Sequence, residues 1–203
     1  MSAAPDDQVD VDLGSLPLTS YVILGLLSTT DEFTVAEVQN RAHRFIRYFY
    51  GTPALSHIRR DLNKLEELGC VTAREVRQGR VKQTLKYRVT ELGESALRQW
   101  AESGPFEPTV VKNSVLMRLW LGRRAGNKDK VLMYLEDHIA QVESELVQLT
   151  ALIGSTVGVP GVHDRRTGVE WSLTVIQHAQ RIYEYNLESL RDLHKELRAL
   201  NNR

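Results

Sequence analysis

His57, Arg59, Arg60, Asn63 and Lys64 fill the positions between Leu55, Ile58, Leu62, Leu65 and Leu68, whose spacings of three and four mark the apolar face of a helix. The polar set has one kind of chemistry. Guanidinium forks match paired acceptors on a guanine edge or a phosphate, an ammonium suits phosphate, and Ser56, His57 and Asn63 can hydrogen-bond either. A solvated helix face has a similar composition, but the next stretch of chain favours nucleic acid. Val71–Arg77 and Val81–Val89 read as strands, the second alternating as Val81, Gln83, Leu85, Tyr87 and Val89, with Gln78-Gly79-Arg80 as the tip of a hairpin. Arg77, Gln78, Arg80 and Lys82 would lie against a phosphate backbone or a minor groove. Contacts from the hairpin would position, and contacts from the helix would specify.

The charge distribution agrees once it is divided by segment. The chain of 203 residues has a formal net charge of zero. Residues 1–17 hold Asp6, Asp7, Asp10 and Asp12 and no base. From Arg41 to Thr90, twelve Lys and Arg face only Asp61, Glu66, Glu67 and Glu75, and from Glu102 onward the two signs balance. A local excess of this kind suggests a polyanionic partner that a whole-chain average conceals.

Other chemistries find little support. Cys70 is the only cysteine, so no intrachain disulfide and no cysteine-based zinc site can form, and its apolar setting reads as core. His138, His163, Asp164, His178 and His194 show no metal-ligand spacing, and phosphate-binding glycine loops and nucleophile elbows are absent. No enzyme activity, metal or cofactor is expected. No apolar run is long enough for a membrane span and the N-terminus does not read as a signal peptide, so the cytoplasm is the expected compartment.

The elements that must position these groups are legible in outline. Residues 1–16 read as an acidic, disordered tail. After Pro17, Leu18 to Leu27 forms an apolar helix, and Thr34 with Glu37 signals a capping box for a second helix striped by Val35, Val38, Ala42 and Phe45. Thr52 as N-cap and Pro53 at the first position open the basic helix, and Gly69 closes it. Tyr48 and Tyr50, just before it, could touch phosphate or pack under the turn. Tyr87 reads as core. Thr90-Glu91-Leu92-Gly93 starts a further helix carrying Ala96, Leu97 and Trp100, and Pro105 and Pro108 flank a linker.

The second half reads as helical. Asn113–Leu121 is a short amphipathic segment, and Asn127 caps a long helix with a seam of Val131, Leu135, Ile139, Val142, Leu146, Leu149 and Ile153. Gly154 to Gly161 breaks it. A last helix, about Thr167 to Leu200, carries Leu173, Ile176, Tyr183, Leu187, Leu190 and Leu197, with Gln180 and His194 on the stripe. The two seams could pair within one chain, between two chains, or both; outer apolar residues such as Val175, Ile182 and Leu193 are explained by a dimer. Val131, Leu135, Ile139, Val142, Leu146, Ile176, Tyr183, Leu187 and Leu190 are taken as the dimerisation set. Trp120, Trp171, Met117 and Met133 could line an effector cavity or fill the core.

The expected fold is mainly α with a small β-hairpin: an N-terminal winged helix-turn-helix over residues 17–103 and a C-terminal antiparallel pair of long helices over 104–203. Three segments carry a family resemblance. Ser56-His57-Ile58-Arg59-Arg60-Asp61-Leu62-Asn63-Lys64-Leu65-Glu66-Glu67-Leu68-Gly69-Cys70-Val71 resembles the recognition helix and following strand of PadR-family transcriptional regulators. Lys86-Tyr87-Arg88-Val89-Thr90-Glu91-Leu92-Gly93 is similar to that family's Tyr-x-Leu-Thr-x-x-Gly signature, and Leu24-Gly25-Leu26-Leu27 to its first helix. The resemblance implies a homodimer held by its C-terminal helices on double-stranded DNA with a pseudo-palindromic operator, often a repressor and often released by a small-molecule effector. Arg59 stands where the family commonly has tyrosine, so base preference does not transfer. A winged-helix module that recruits a protein partner through the C-terminal helices, without DNA, is the alternative.

Overall fold

The apolar stretch after Pro17 forms helix α1 (Leu18–Leu27) in a computed structural model that describes residues 16–29, 32–78, 82–105, 113–122, 124–157 and 169–202, with only the backbone at 78 and 82. An all-round apolar helix belongs in a core, and Ile23, Leu24 and Leu27 are fully buried. Helix α2 (Val35–Phe45) begins at the expected capping box. The Thr34 hydroxyl accepts from the Glu37 N–H at 3.3 Å, and the Glu37 carboxylate accepts from the Thr34 N–H at 2.7 Å.

That reciprocal bond has a pH signature. The Thr34 N–H is the main group holding the Glu37 carboxyl below its ordinary range. A depressed folded-state pKa contributes stability that is complete above the unfolded value and lost as pH falls through the folded one. The first turn of α2 therefore loosens as pH falls below the ordinary carboxylate range, read as a loss of amide protection at Glu37 relative to the intrinsic exchange rate. Thr34→Ala lowers stability by about 1 kcal/mol and leaves most of that acid dependence in place, because alanine keeps the backbone N–H that Glu37 accepts.

Helix α3 (Leu55–Glu67) starts later than the sequence suggests, with Ala54 rather than Thr52 at the N-cap. Thr52 Oγ1 is engaged with His43 Nδ1 of α2 at 3.3 Å, and the Pro53 carbonyl accepts from Gln39 Nε2, also at 3.3 Å. Those cross-links hold both residues outside the helix. Leu55, expected on the apolar face, is exposed in consequence. The other end is as expected. Gly69 takes φ +71°, its N–H donates to the Glu66 carbonyl and the Cys70 N–H donates to Leu65, a Schellman closure that favours glycine.

Strands β1 (Val71–Gln78) and β2 (Lys82–Val89) pair antiparallel in register from Val71 opposite Val89 to Gln78 opposite Lys82. Alternation places Val71, Ala73, Tyr87 and Val89 on one face, and all four join the core built on α1, α2 and α3. Phe33 bridges the outer edge of β2 through two backbone bonds to Tyr87. Cys70 and Tyr87 are both buried in that core, which pushes up both the thiol and the phenol.

Helix α4 (Glu91–Ser103) is capped by Thr90, whose Oγ1 accepts from the Gly93 N–H at 3.1 Å and donates to the Gly69 carbonyl at 2.7 Å. Trp100 of α4 stacks on Tyr21 of α1, with centroids 4.7 Å apart.

The chain divides into two compact units after Pro108. The second contains α5 (Ser114–Gly122), α6 (Lys128–Val157) and α7 (Val169–Asn201). Asn113 and Asn127 cap α5 and α6 through Oδ1 bonds to Leu116 and Lys130 N–H groups. Helix α6 does not break at Gly154: it runs on to Val157, and the Ser155 and Thr156 hydroxyls bond back to the Leu152 carbonyl. The rest of the expected break, to Gly161, lies outside the described residues, as do the acidic tail through residue 15, Phe106 and the His163-Asp164 pair.

Helices α6 and α7 are antiparallel, cross-linked by Asp129–Asn201, Glu136–Arg198, Glu143–Arg191 and Thr150–Gln180. Val115, Leu135, Val142, Leu187 and Leu190 form their shared core. Among the described residues no helix is long and apolar enough to cross a membrane.

Candidate nucleic-acid interface

Helix α3 separates its two faces. Ile58, Leu62 and Leu65 are fully buried, while Ser56, His57, Arg59, Arg60, Asn63 and Lys64 are all exposed. The helix has no side-chain N-cap and no acidic residue in its first turn. Its positive end is left uncompensated, a setting that favours an anion.

The flank of α3 that carries Arg59 and Glu66 faces the hairpin. Both charges reach the Tyr87 hydroxyl, Glu66 reinforcing the upward push of burial and Arg59 opposing it. Residues alternating with Tyr87 share its face, so Arg77 and its partner Gln83, together with Glu75 and Leu85, lie on that side beyond the core. Arg77 is exposed there. Gln83 was not singled out from the sequence, although its two-residue offsets from Leu85 and Tyr87 already place it on this face.

The opposite hairpin face carries Thr72, Arg74, Lys86 and Arg88. Arg74 donates through Nε and Nη2 to both carboxylate oxygens of Glu32, at 3.1 and 2.5 Å. That bond, chiefly, holds the Glu32 carboxyl below its usual range, with Lys86 and Arg88 adding to the effect. Gln78 and Lys82 form the last rung of the ladder, their side chains outside the described residues, as is all of Arg80.

The count of twelve bases overstates the charge available to a polyanion. Arg41 covers the Phe33 ring at 4.5 Å and donates to Thr29; Arg47 donates to the Tyr48 hydroxyl at 2.6 Å; Arg74 is held by Glu32. Arg60 pairs with Asp61 at 3.0 Å, and Lys64 lies 3.8 Å from Glu67. The tyrosines before α3 differ: Tyr48 is buried under the turn, and Tyr50 is exposed with its hydroxyl 3.2 Å from Thr19.

In the second unit, Leu135, Val142, Ile176, Leu187 and Leu190 are buried within the chain, and Val131, Ile139, Leu146 and Tyr183 are half-buried. The seam read from the sequence thus closes an intramolecular helix pair. The apolar surface left over lies elsewhere. Trp171, Val175, Ile182 and Tyr185 run along the outer side of α7 at helical spacing, Trp171 being 79 % exposed. Trp120, Met117 and Met133 are exposed as well, so none of this group fills the core. His194 lies across the helix pair, with Nε2 2.9 Å from Glu136. Among the described residues no three His, Cys, Asp or Glu side chains are grouped to hold a metal ion.

No protein-family model and no curated protein matches the sequence. Solved structures do. Bacillus subtilis PadR in complex with operator DNA is similar over 89 % of this chain and 99 % of its own, at 20 % identity and a TM-score of 0.68. A PadR-like transcriptional regulator of Bacillus cereus is similar over 90 % and 98 %, at 23 % identity and a TM-score of 0.68. The Vibrio cholerae virulence activator AphA is similar over 89 % and 98 %, at 20 % identity and a TM-score of 0.64. Bacillus subtilis PadR in complex with p-coumaric acid also matches, over 88 % and 94 %, at 18 % identity and a TM-score of 0.62. The fold of this chain is that of PadR-family transcriptional regulators.

Proposed function

We propose that this protein is a sequence-specific, DNA-binding regulator of transcription that works as a homodimer on a pseudo-palindromic operator in the cytoplasm. The observation that carries the proposal is the exposed polar face of α3, with an uncompensated N-terminus, in a fold shared with a regulator seen on its operator. In this reading residues 17–103 read DNA and residues 104–203 dimerise and respond to effector. Ser56, His57, Arg59, Arg60, Asn63 and Lys64 enter the major groove. Arg77, Gln78, Arg80 and Lys82 of the hairpin contact backbone or minor groove. The p-coumaric acid complex of the Bacillus subtilis neighbour supports a small-molecule effector, and we assign repression with release by such a ligand as the mode of action.

Selection from a random duplex pool tests this directly. One family of sequences should emerge with two related half-sites about one helical turn apart. If the dimer neutralises six or more phosphates, affinity falls at least about a thousandfold between roughly 50 and 200 mM salt. No enrichment and no duplex binding at low salt would reject the proposal and favour the protein-recruiting module.

For the dimer, the support is the stripe of Trp171, Val175, Ile182 and Tyr185 on α7, because a soluble chain rarely leaves so regular an apolar row uncovered. The pairing set read from the sequence serves as its scaffold, buried or half-buried beneath. Ile182→Asp, at a position 55 % exposed in the single chain, leaves helicity unchanged and converts the dimer to monomer in sedimentation velocity. Retention of the dimer would place the interface elsewhere.

A further inference from the structure

Asp61 is the only buried charged residue among those described, 3 % exposed on the apolar stripe of α3 beside Ile58, Leu62 and Leu65. Its Oδ1 accepts from Arg60 Nε, and Arg60 Nη2 lies 3.0 Å from the same oxygen. Oδ2 is buried with no hydrogen-bond partner.

Stability does not account for this arrangement. Burying a carboxylate is costly, and an unsatisfied oxygen adds to the cost. The partner side chain, Arg60, is 66 % exposed, so solvent weakens its attraction. An apolar residue at position 61 would serve the core better.

What the carboxylate does is orient Arg60. Consecutive helix residues point about 100° apart, so Arg60 must turn back along the flank of α3 to reach Asp61. The contact occupies the Nε–Nη2 edge of the guanidinium and leaves the Nη1–Nη2 edge unused by Asp61, on a side chain that is mostly exposed. A free arginine loses much rotamer entropy when it binds, and one already held loses less. A fork of two N–H donors fits the O6 and N7 acceptors of guanine.

We propose that Asp61 is a positioning residue for operator recognition, holding Arg60 with its other edge set for a guanine. Discrimination between duplexes would then depend on a buried carboxylate that touches no DNA. The proposal rests on the DNA-binding reading above and adds a residue that reading does not contain.

The test uses the full chain and a duplex recovered by selection, and reads the ratio of affinities for that duplex and a scrambled one. Arg60→Ala should lower the ratio about tenfold. Asp61→Asn and Asp61→Leu should each lose most of that factor, and each combined with Arg60→Ala should lose no more than Arg60→Ala alone. Their melting temperatures should equal or exceed the parent's, which a structural role would not allow. Wild-type discrimination in both Asp61 variants, losses that multiply with that of Arg60→Ala, or losses that track a fall in melting temperature would each overturn the proposal. If the parent chain selects a duplex and only the Arg60 variant loses discrimination, the DNA-binding reading stands and this inference fails. If the parent chain selects nothing, both fail.

Discussion

Replacing Arg59 and Arg60 together by alanine weakens binding to a selected duplex by roughly 100- to 10,000-fold at fixed salt. Each arginine with a bidentate base contact contributes about 1–3 kcal/mol of discrimination, and the two lie side by side on the exposed face of α3. Loss of two positive charges from each protomer of the dimer also makes the salt dependence shallower, by about one unit of slope for each phosphate no longer neutralised. Arg59 lies outside the core, but Arg60→Ala leaves the buried Asp61 carboxylate without its partner, so Arg59→Ala alone and the melting temperature of each variant are read alongside. Fluorescence anisotropy with the selected and scrambled duplexes separates the two effects. Base readout appears as a larger loss on the selected duplex, phosphate binding as an equal loss on both. A change smaller than about threefold on either would exclude α3 as the reading element.

The largest effect on stability is expected at Gly93, where alanine costs about 3 kcal/mol or more and disrupts the first unit. A Cβ there would overlap the Cys70 carbonyl oxygen and stand 2.9 Å from Val89 Cγ2. The oxygen cannot yield easily, since it already accepts the Thr90 N–H at 3.0 Å. Gly25→Ala is the control: nothing lies within 4 Å of a Cβ at that position, and in mid-helix the change stabilises by about 0.5–1 kcal/mol. Urea unfolding followed by amide exchange in the first unit compares them. Equal stability of the two variants would contradict the close approach of α4 to Cys70.

Local signals carried the first unit well. Thr34 and Glu37, Gly69 at the end of α3, and Thr90 before α4 each act within a few residues, so their spacing is sufficient to read them. Thr52 failed as a cap because its hydroxyl bonds to His43, nine residues away in sequence, which no local pattern reveals. Asp61 is a different kind of omission. Its offsets of three and four from Ile58 and Leu65 place it on the apolar stripe, so its burial was readable, but charge alone grouped it with the solvent-facing acids. In the second unit the heptad-like seam was correct as periodicity. Whether a seam closes within a chain depends on antiparallel pairing of α6 with α7, which links Asp129 to Asn201 across most of the unit. Val175 and Ile182 of the exposed row were already legible as outer apolar residues, whereas Leu193, read with them, packs against the helix-pair core, and Trp171 and Tyr185 joined the row only when that pairing had claimed the other face.

The junction of Gly69, Cys70, Thr90 and Gly93 has a further consequence. The C-terminus of α3, the start of β1, the end of β2 and the start of α4 all meet on these residues through bonds of 2.7–3.1 Å. The angle of α3 is therefore set by the body of the domain and cannot drift with the residues on its outer surface. A lineage of such proteins would acquire new target sequences by exchanging outward side chains on a fixed spindle, without re-aiming the spindle. Asp61 is the exception, because a change there alters the outer surface from inside.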